Sequence, residues 1–529
     1  MSRLYTRTLV RPPTRRRYTI YQNGQRINRH QLFSYRNGRF LINEGYELAK
    51  RYAPFNVDAL CEIIAALPQV SSPVASIDKK EGGYNKGLLV TAENGRQVVA
   101  KIPCLNIVPP WYGTASEVAV LQMVREQTSI PVSKVLTWSD TKSNPVGSEY
   151  IVLEKSHGTQ LTALWDDLKE QDRVQLIRAF ARLESQLTGI KFPAYGSLFM
   201  RDRLAPPLHE PGRTIDVDER YCLGPMYHGS WPGGYAANPE EYAQYAGPSF
   251  AQQGIWQIEH FKTSYGGRGP HFGTPAEHVE VLRMAVQVMP LLATLPAIEH
   301  HSTPVLCHPD FHPGNIFVAA EDPTRITGVI DWQFTAILPR FTQVQWPLFL
   351  NPPEEYQTGM GRPELPPHFD DQDVEKDEEY SSTGAALLKS HLESYLALTE
   401  TDVAIRQLFT SCPYTYRDGI VPLRDCLVRL YQEWPRLNVP GDRPCPYSFS
   451  RVEIDRHERQ MADYRDWLNL RKYTFELLQS NEGGWVPPQV DFAAAQSKMQ
   501  LLYRRFVRSK AKEMPEREAR KLWFFRERG

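Results

Sequence analysis

The chain has 529 residues, 41% of them apolar, with 61 Lys plus Arg balanced by 61 Asp plus Glu. That length exceeds what a single hydrophobic core serves, so two lobes with extensions are expected. Even charge leaves no overall basic field for nucleic acid, and no apolar run approaches the roughly 18 residues that span a bilayer.

Ten arginines precede the first acidic residue, Glu44, interleaved with Ser, Thr and Tyr. This composition looks like a mitochondrial transit peptide; a disordered basic arm has the same signature. Residues 1–29 are therefore set apart from the fold, and residues 30–75 are taken as an extension carrying a helix over 55–67, closed by breakers at 68–73. The period then changes from helical to alternating. Residues 87–91, the turn Glu93-Asn94-Gly95 and residues 97–102 predict a strand, a hairpin turn and a second strand. A helix over 115–126 and the strand YIVLE (150–154) complete a small lobe, 76–156. Helical patterns over 161–187 and 275–295 open a large lobe, 157–495, with an aromatic, Pro- and Gly-rich insert near 191–275. Residues 363–379 mix prolines with clustered acids and suit a solvated loop, and 496–529 form a basic, helix-prone tail. Strands first and helices after predict an α+β, two-lobed molecule. Seven scattered cysteines, an odd number with no CxxC spacing, fit a reducing compartment better than a disulfide framework or structural zinc.

The chemistry concentrates in VLCHPDFHPGNIFV (305–318) and ITGVIDWQF (326–334). Apolar strand-like residues stop at Asp310, resume at Ile316 and stop again at Asp331, which brings two carboxylates and an amide to strand ends. Magnesium takes hard oxygen ligands, often one or two from protein and the rest from phosphate and water, and Asn315 with Asp331 supplies such a set. Asp310 beside it has the position of a base for an attacking hydroxyl. Upstream, Lys101 interrupts the apolar strand VVAKI, and a buried ammonium needs a partner. Glu117 shares the inward stripe of the next helix with Leu121 and Val124, so each charge accounts for the other. The turn EGGYNKG (81–87) offers Gly82 and Gly83, whose bare backbone lets amides approach phosphate. On chain order, IVLEKSHG is the hinge, with the backbone of Glu154 and Ser156 beside adenine.

These motifs resemble the aminoglycoside phosphotransferase and choline kinase superfamily, whose catalytic loop reads much like His308 to Asn315. Within it the chain is similar to the fungal branch named for altered inheritance of mitochondria, through NEGYELAKRYAPFNVDAL from Asn43, EGGYNKG with VVAKIP, IVLEKSHGTQL from Ile151 and FPAYGSL from Phe192. The resemblance covers residues 43–350. It implies a protein-kinase-like fold with a β-rich N-lobe and a helical C-lobe, ATP as donor, Mg2+ on Asn315 and Asp331, and Asp310 as base. It also implies that His308 braces the loop and that His312 contacts the γ-phosphate, standing where protein kinases carry lysine. Asp331-Trp332-Gln333 replaces DFG and no APE string follows, which disfavours a protein kinase and favours a small-molecule acceptor. The expected activity is γ-phosphoryl transfer to a hydroxyl of such a molecule, in mitochondria. A non-catalytic nucleotide-binding protein of the same fold is the alternative. Candidate walls for the acceptor are Tyr221, Tyr227, Trp231 and Tyr235, which suit loop anchors equally well; Asp370, Asp371 and Asp373 would attract a cationic acceptor.

Overall fold

Alternating burial makes the small lobe. The computed structural model describes residues 18–106, 112–204, 208, 214–224, 269–343 and 403–525. Its first strands, β1 (Thr19–Gln22) and β2 (Gln25–Arg26), join β4 (Val74–Glu81), β5 (Asn85–Ala92), β6 (Gln97–Pro103), β7 (Val135–Ser139) and β8 (Tyr150–Glu154) in the order β2-β1-β4-β5-β6-β8-β7. Alternate residues Leu88, Val90 and Ala92 of β5 and Val98, Ala100 and Ile102 of β6 enter one core under the sheet. The predicted hairpin turn has Gly95 at φ +82°, a conformation glycine adopts without strain.

Residues 18–29 correct the expectation that everything before residue 30 lies outside the fold. β1 runs parallel to β4 with Ile20 opposite Ile77, and Ile20 and Ile27 are buried. The arginines mask this, and β1 shows no apolar alternation, because its buried positions are Ile20 and the polar Gln22 while Tyr21 is exposed. Helices α1 (Arg29–Phe33), α2 (Glu44–Lys50) and α3 (Val57–Ala66) follow; the Asn28 side chain caps α1 in a reciprocal box with Gln31, and Asn56 caps α3. Between α1 and α2, the two-residue β3 (Arg39–Phe40) pairs with β17 (Trp485–Val486) near the other end of the chain.

Strand β4 was not predicted from VASIDKKE because of its lysines. Lys79 and Lys86, both almost fully buried, meet at the carboxylate of Glu81. Lys79 also donates to the carbonyls of Gln31 (3.0 Å) and Ser34 (2.5 Å), and burial pushes its ammonium down to about 8. The extension thus satisfies charges that a strand interior would otherwise not tolerate.

Helix α4 (Tyr112–Gln127) lies at the junction of the lobes, where Val120, Leu121, Met123 and Val124 pack with Leu306, Val329 and Trp332. In the large lobe the pattern predicted over 161–187 begins as two short turns and becomes α5 (Glu170–Gly189). A small sheet of β10 (Ser197–Met200), β11 (Ile215–Asp216) and β12 (Tyr221–Gly224) follows. Then come α6 (Pro275–Leu292), α7 (Val403–Ser411), α8 (Ile420–Leu437), α9 (Arg451–Leu478) and α10 (Phe492–Lys510). Thr274 with Glu277 caps α6, and Pro275 opens it, as the sequence rule requires. Leu282, Leu292, Leu408, Leu423 and Leu427 form the core of this lobe. The result is a two-lobed α+β arrangement. Among the described residues no helix is long and apolar enough to cross a membrane.

Candidate active site

Two short antiparallel strand pairs, the second a hairpin nested inside the first, present the chemistry-bearing loop. Strand β13 (Pro304–Leu306) pairs with β16 (Ile337–Pro339), and β14 (Ile316–Val318) pairs with both β15 (Ile326–Val329) and the small β9 (Thr159–Gln160). Ile330 donates its N–H to the Asn315 carbonyl at 2.9 Å, so Asn315 and Asp331 are neighbours at one end of the β14–β15 hairpin. Asn315 donates Nδ2 to the Asp310 carbonyl at 2.9 Å, which leaves its Oδ1 for a cation. Asp310 itself is exposed, with Oδ2 3.5 Å from His312 Nε2.

His308 holds the loop with both ring nitrogens. Nε2 donates to the Ile330 carbonyl at 2.9 Å and Nδ1 accepts the Asp310 N–H at 3.2 Å, an arrangement open only to the neutral ring protonated at Nε2. Burial pushes its imidazolium down to about 4, against the raising effect of the Ile330 carbonyl and Asp331. Below about 6.5 the unfolded chain binds a proton that the folded chain refuses until about 4, so stability is lost as pH falls across that window. The partly exposed ring is worth about 2 kcal/mol there. Denaturant unfolding of His308→Asn between pH 6.5 and 4.5 is expected to show a shallower loss than the parent chain; parallel profiles would refute this origin.

From the small lobe, β6 delivers Lys101. Its Nζ donates to Glu117 Oε1 and Oε2 at 2.7 and 2.9 Å and to Asp331 Oδ1 at 2.7 Å. Burial alone would lower the lysine, but Asp331 and Glu117 outweigh it and raise it above its ordinary value. Burial pushes the Glu117 carboxyl up against the pull of Lys101, whereas for Asp331 the lysine prevails over burial and keeps the carboxyl below the usual range. Asp331 is left as a carboxylate with Oδ2 not used by the lysine.

The turn between β4 and β5 holds Gly82 and Gly83. Neither has positive φ; a Cβ on Gly83 would meet nothing within 4 Å and one on Gly82 only the Asn85 carbonyl at 4.0 Å. Neither backbone conformation nor internal packing demands these glycines, so the space they leave is available to a ligand.

The loop that carries Asp331 is under strain. Asp331 and Phe334 have φ of 64° and 68°; aspartate adopts left-handed values more readily than most residues, whereas for the bulky Phe334 the conformation costs on the order of 1–3 kcal/mol. Trp332 anchors the turn in the core, edge-on to His308 with ring centroids 4.6 Å apart, and donates Nε1 to the Val329 carbonyl at 3.0 Å.

Lys101, Glu117, Asp331, Asn315 and Asp310 thus come together. His312 instead faces Asp310, with Nδ1 accepting the Gly314 N–H at 3.1 Å. At the hinge the Glu154 N–H already donates to the Lys134 carbonyl at 2.9 Å, so an adenine contact by Glu154 is narrowed to its carbonyl; Ser156 pairs through its hydroxyl with Ser133 at 3.0 Å. Tyr221 is a buried anchor bonded to Glu126 at 3.0 Å, not a wall of the cleft. Tyr227, Trp231, Tyr235, Asp370, Asp371 and Asp373 lie outside the described residues. Sequence reading missed Asn85 and Gln333, which meet across the lobes at 2.5 Å; both stand in motifs already singled out, but nothing in their spacing links them.

Comparison with known proteins follows the same lines. Residues 81–342 match the model described as a phosphotransferase enzyme family. A subtelomeric hrmA-associated cluster protein of Aspergillus fumigatus is 28% identical over 476 residues, covering 78% of this chain and 89% of that one. The protein named altered inheritance of mitochondria protein 9, mitochondrial, of Yarrowia lipolytica is 22% identical over 517 residues, covering 87% and 85%. A streptomycin–ATP ternary complex of APH(2″)-IIa is 13% identical with TM-score 0.36, covering 71% of this chain and 97% of that chain. The fold rests on the strand order and burial described above. The matched segment opens at Glu81, one residue before the glycine turn, and closes at Thr342, just past β16, and over these residues the chain is similar to the phosphotransferase enzyme family.

Proposed function

We propose that the chain is an ATP- and magnesium-dependent phosphotransferase that moves the γ-phosphoryl group to a hydroxyl of a small molecule. The observation that carries this reading is the position of Lys101 Nζ, which bridges buried Glu117 and, 230 residues away in sequence, Asp331. A cation fixed between the lobes beside a carboxylate and an amide oxygen suits a triphosphate with a divalent ion. Asn315 Oδ1 and Asp331 would hold magnesium, and among the described residues no cluster of three or more His, Cys, Asp or Glu competes for a metal. Two oxygen ligands fit an ion that takes its remaining ligands from phosphate and water. Bound there, magnesium neutralises phosphate charge.

The chain's own residues do the rest. Lys101 holds the non-transferred phosphates, and the Gly83 amide closes over them, while the Gly82 N–H is held by the Asn85 carbonyl at 3.2 Å and shapes the turn. Asp310 accepts the acceptor's hydroxyl proton as the new O–P bond forms and the bond from the γ-phosphorus to the bridging oxygen breaks, its electron pair leaving with ADP. His312, with Nδ1 accepting the Gly314 N–H, turns Nε2 to the same carboxylate, and from there it would contact the γ-phosphate when nucleotide binds. The mitochondrial designation of the Yarrowia relative supports placement in that organelle. Absence of an APE string supports a small acceptor over a polypeptide.

Magnesium-ATP is expected to raise the melting temperature, and ATP turnover should appear when the purified chain is offered a metabolite pool. Binding without turnover would favour the non-catalytic alternative; radiolabel on polypeptides would favour a protein kinase. Gly83→Val is expected to fold normally, because its branches enter open space, and to weaken ATP by about tenfold or more through loss of close backbone approach. Unchanged affinity by calorimetry would remove the turn from the site.

A further inference from the structure

The glycine turn and the Asp331 turn are held to one another by contacts that neither lobe could make alone. Asn85 follows the glycine turn directly, and its Nδ2 donates to Gln333 Oε1 at 2.5 Å, with 8% and 5% of each residue exposed. One residue to either side, Tyr84 meets Phe334 edge to face at 5.0 Å. At the other end of the glycine turn, Glu81 is fixed by Lys79, Lys86 and the Arg36 N–H. Both ends are therefore pinned, one to the N-terminal extension and the other to the loop that carries Asp331.

Gln333 sits between two left-handed residues, Asp331 and Phe334, and such conformations persist only where surrounding contacts over-determine them. Trp332 fixes the turn to the large lobe. Gln333 and Phe334 fix it to the small lobe, at the strand start next to Gly82 and Gly83. A buried amide pair has a narrow tolerance of distance and angle, so it sets register as well as holding the surfaces together.

We infer that Gln333, through Asn85, is a positioning residue that aligns the Asp331 carboxylate with the glycine turn, so that one ion-bound phosphate chain satisfies both. This rests on the phosphotransferase reading, and it makes the lobe-to-lobe amide bond part of nucleotide recognition although neither amide need touch nucleotide.

The test uses the full-length chain with Asn85→Ala, Gln333→Ala and both together. ATP affinity is measured by calorimetry with magnesium and with chelator, and amide exchange is followed in the ligand-free chain. Each single change is expected to weaken magnesium-ATP by about tenfold while changing metal-free ATP by less than about twofold, and the double change to be no worse than either single one. Gln333→Ala should also speed exchange at residues 82–86, in the opposite lobe. Equal losses with and without magnesium, additive losses, or unchanged exchange at 82–86 would each overturn the inference. If the parent chain binds no magnesium-ATP, the phosphotransferase reading fails, and the exchange arm separately decides whether the two turns are coupled.

Discussion

Asp310→Ala is expected to leave magnesium-ATP affinity within about twofold and melting temperature nearly unchanged, while slowing transfer by about 10²–10⁴-fold. The separation follows from how the residue is built in. Its fold-holding groups are backbone: the N–H goes to His308 Nδ1 and the carbonyl accepts Asn315 Nδ2, and both survive truncation of the side chain. The carboxylate is exposed, with His312 at 3.5 Å, and so has little part in stability. Asp331→Ala should behave in the opposite way, because it removes a proposed magnesium ligand and one of two partners of Lys101. It is expected to weaken ATP only when magnesium is present. Single-turnover transfer and calorimetry on the two variants check this. Equal transfer rates in Asp310→Ala and the parent chain would defeat the proposed base.

Local pattern made parts of this molecule legible in the sequence. β5 and β6 alternate around an Asn-Gly turn, and β8 spans the predicted YIVLE run; these are short-range signals that tertiary packing did not need to override. The partnership of Lys101 and Glu117 was legible for a different reason: each is an improbable charge on an apolar face, and burial forces improbable charges to find one another. Long-range compensation was not legible. β4 reads as polar because Lys79, Lys80 and Glu81 close it, and only the carbonyls of α1 and the carboxylate of Glu81 make two buried lysines tolerable. β1 hides in an arginine-rich stretch, and β3 with β17 are two residues each, too short for any periodicity. Gln333 reads in sequence as an ordinary variant of its loop motif, because its partner lies 248 residues away.

Lys101 and Glu117 allow stability and nucleotide binding to be separated. Lys101→Met alone leaves Glu117, 5% exposed, inside the protein without its counter-charge, and breaking a buried pair in this way costs about 3–5 kcal/mol. Asp331 also loses a partner, but its carboxylate is partly open to water and suffers less. Replacing both members, Lys101→Met with Glu117→Leu, removes the stranded charge and puts apolar side chains of similar volume in its place, a change that is often neutral or stabilising. The double variant is therefore expected to regain most of the unfolding free energy lost by the single one. Its affinity for magnesium-ATP should stay as poor as that of Lys101→Met, because no ammonium remains to meet the phosphates. Denaturant unfolding and calorimetry on the two variants measure both quantities. If the double variant recovered affinity together with stability, the ammonium would serve only to neutralise Glu117, and the phosphate-binding role would have to pass to another group.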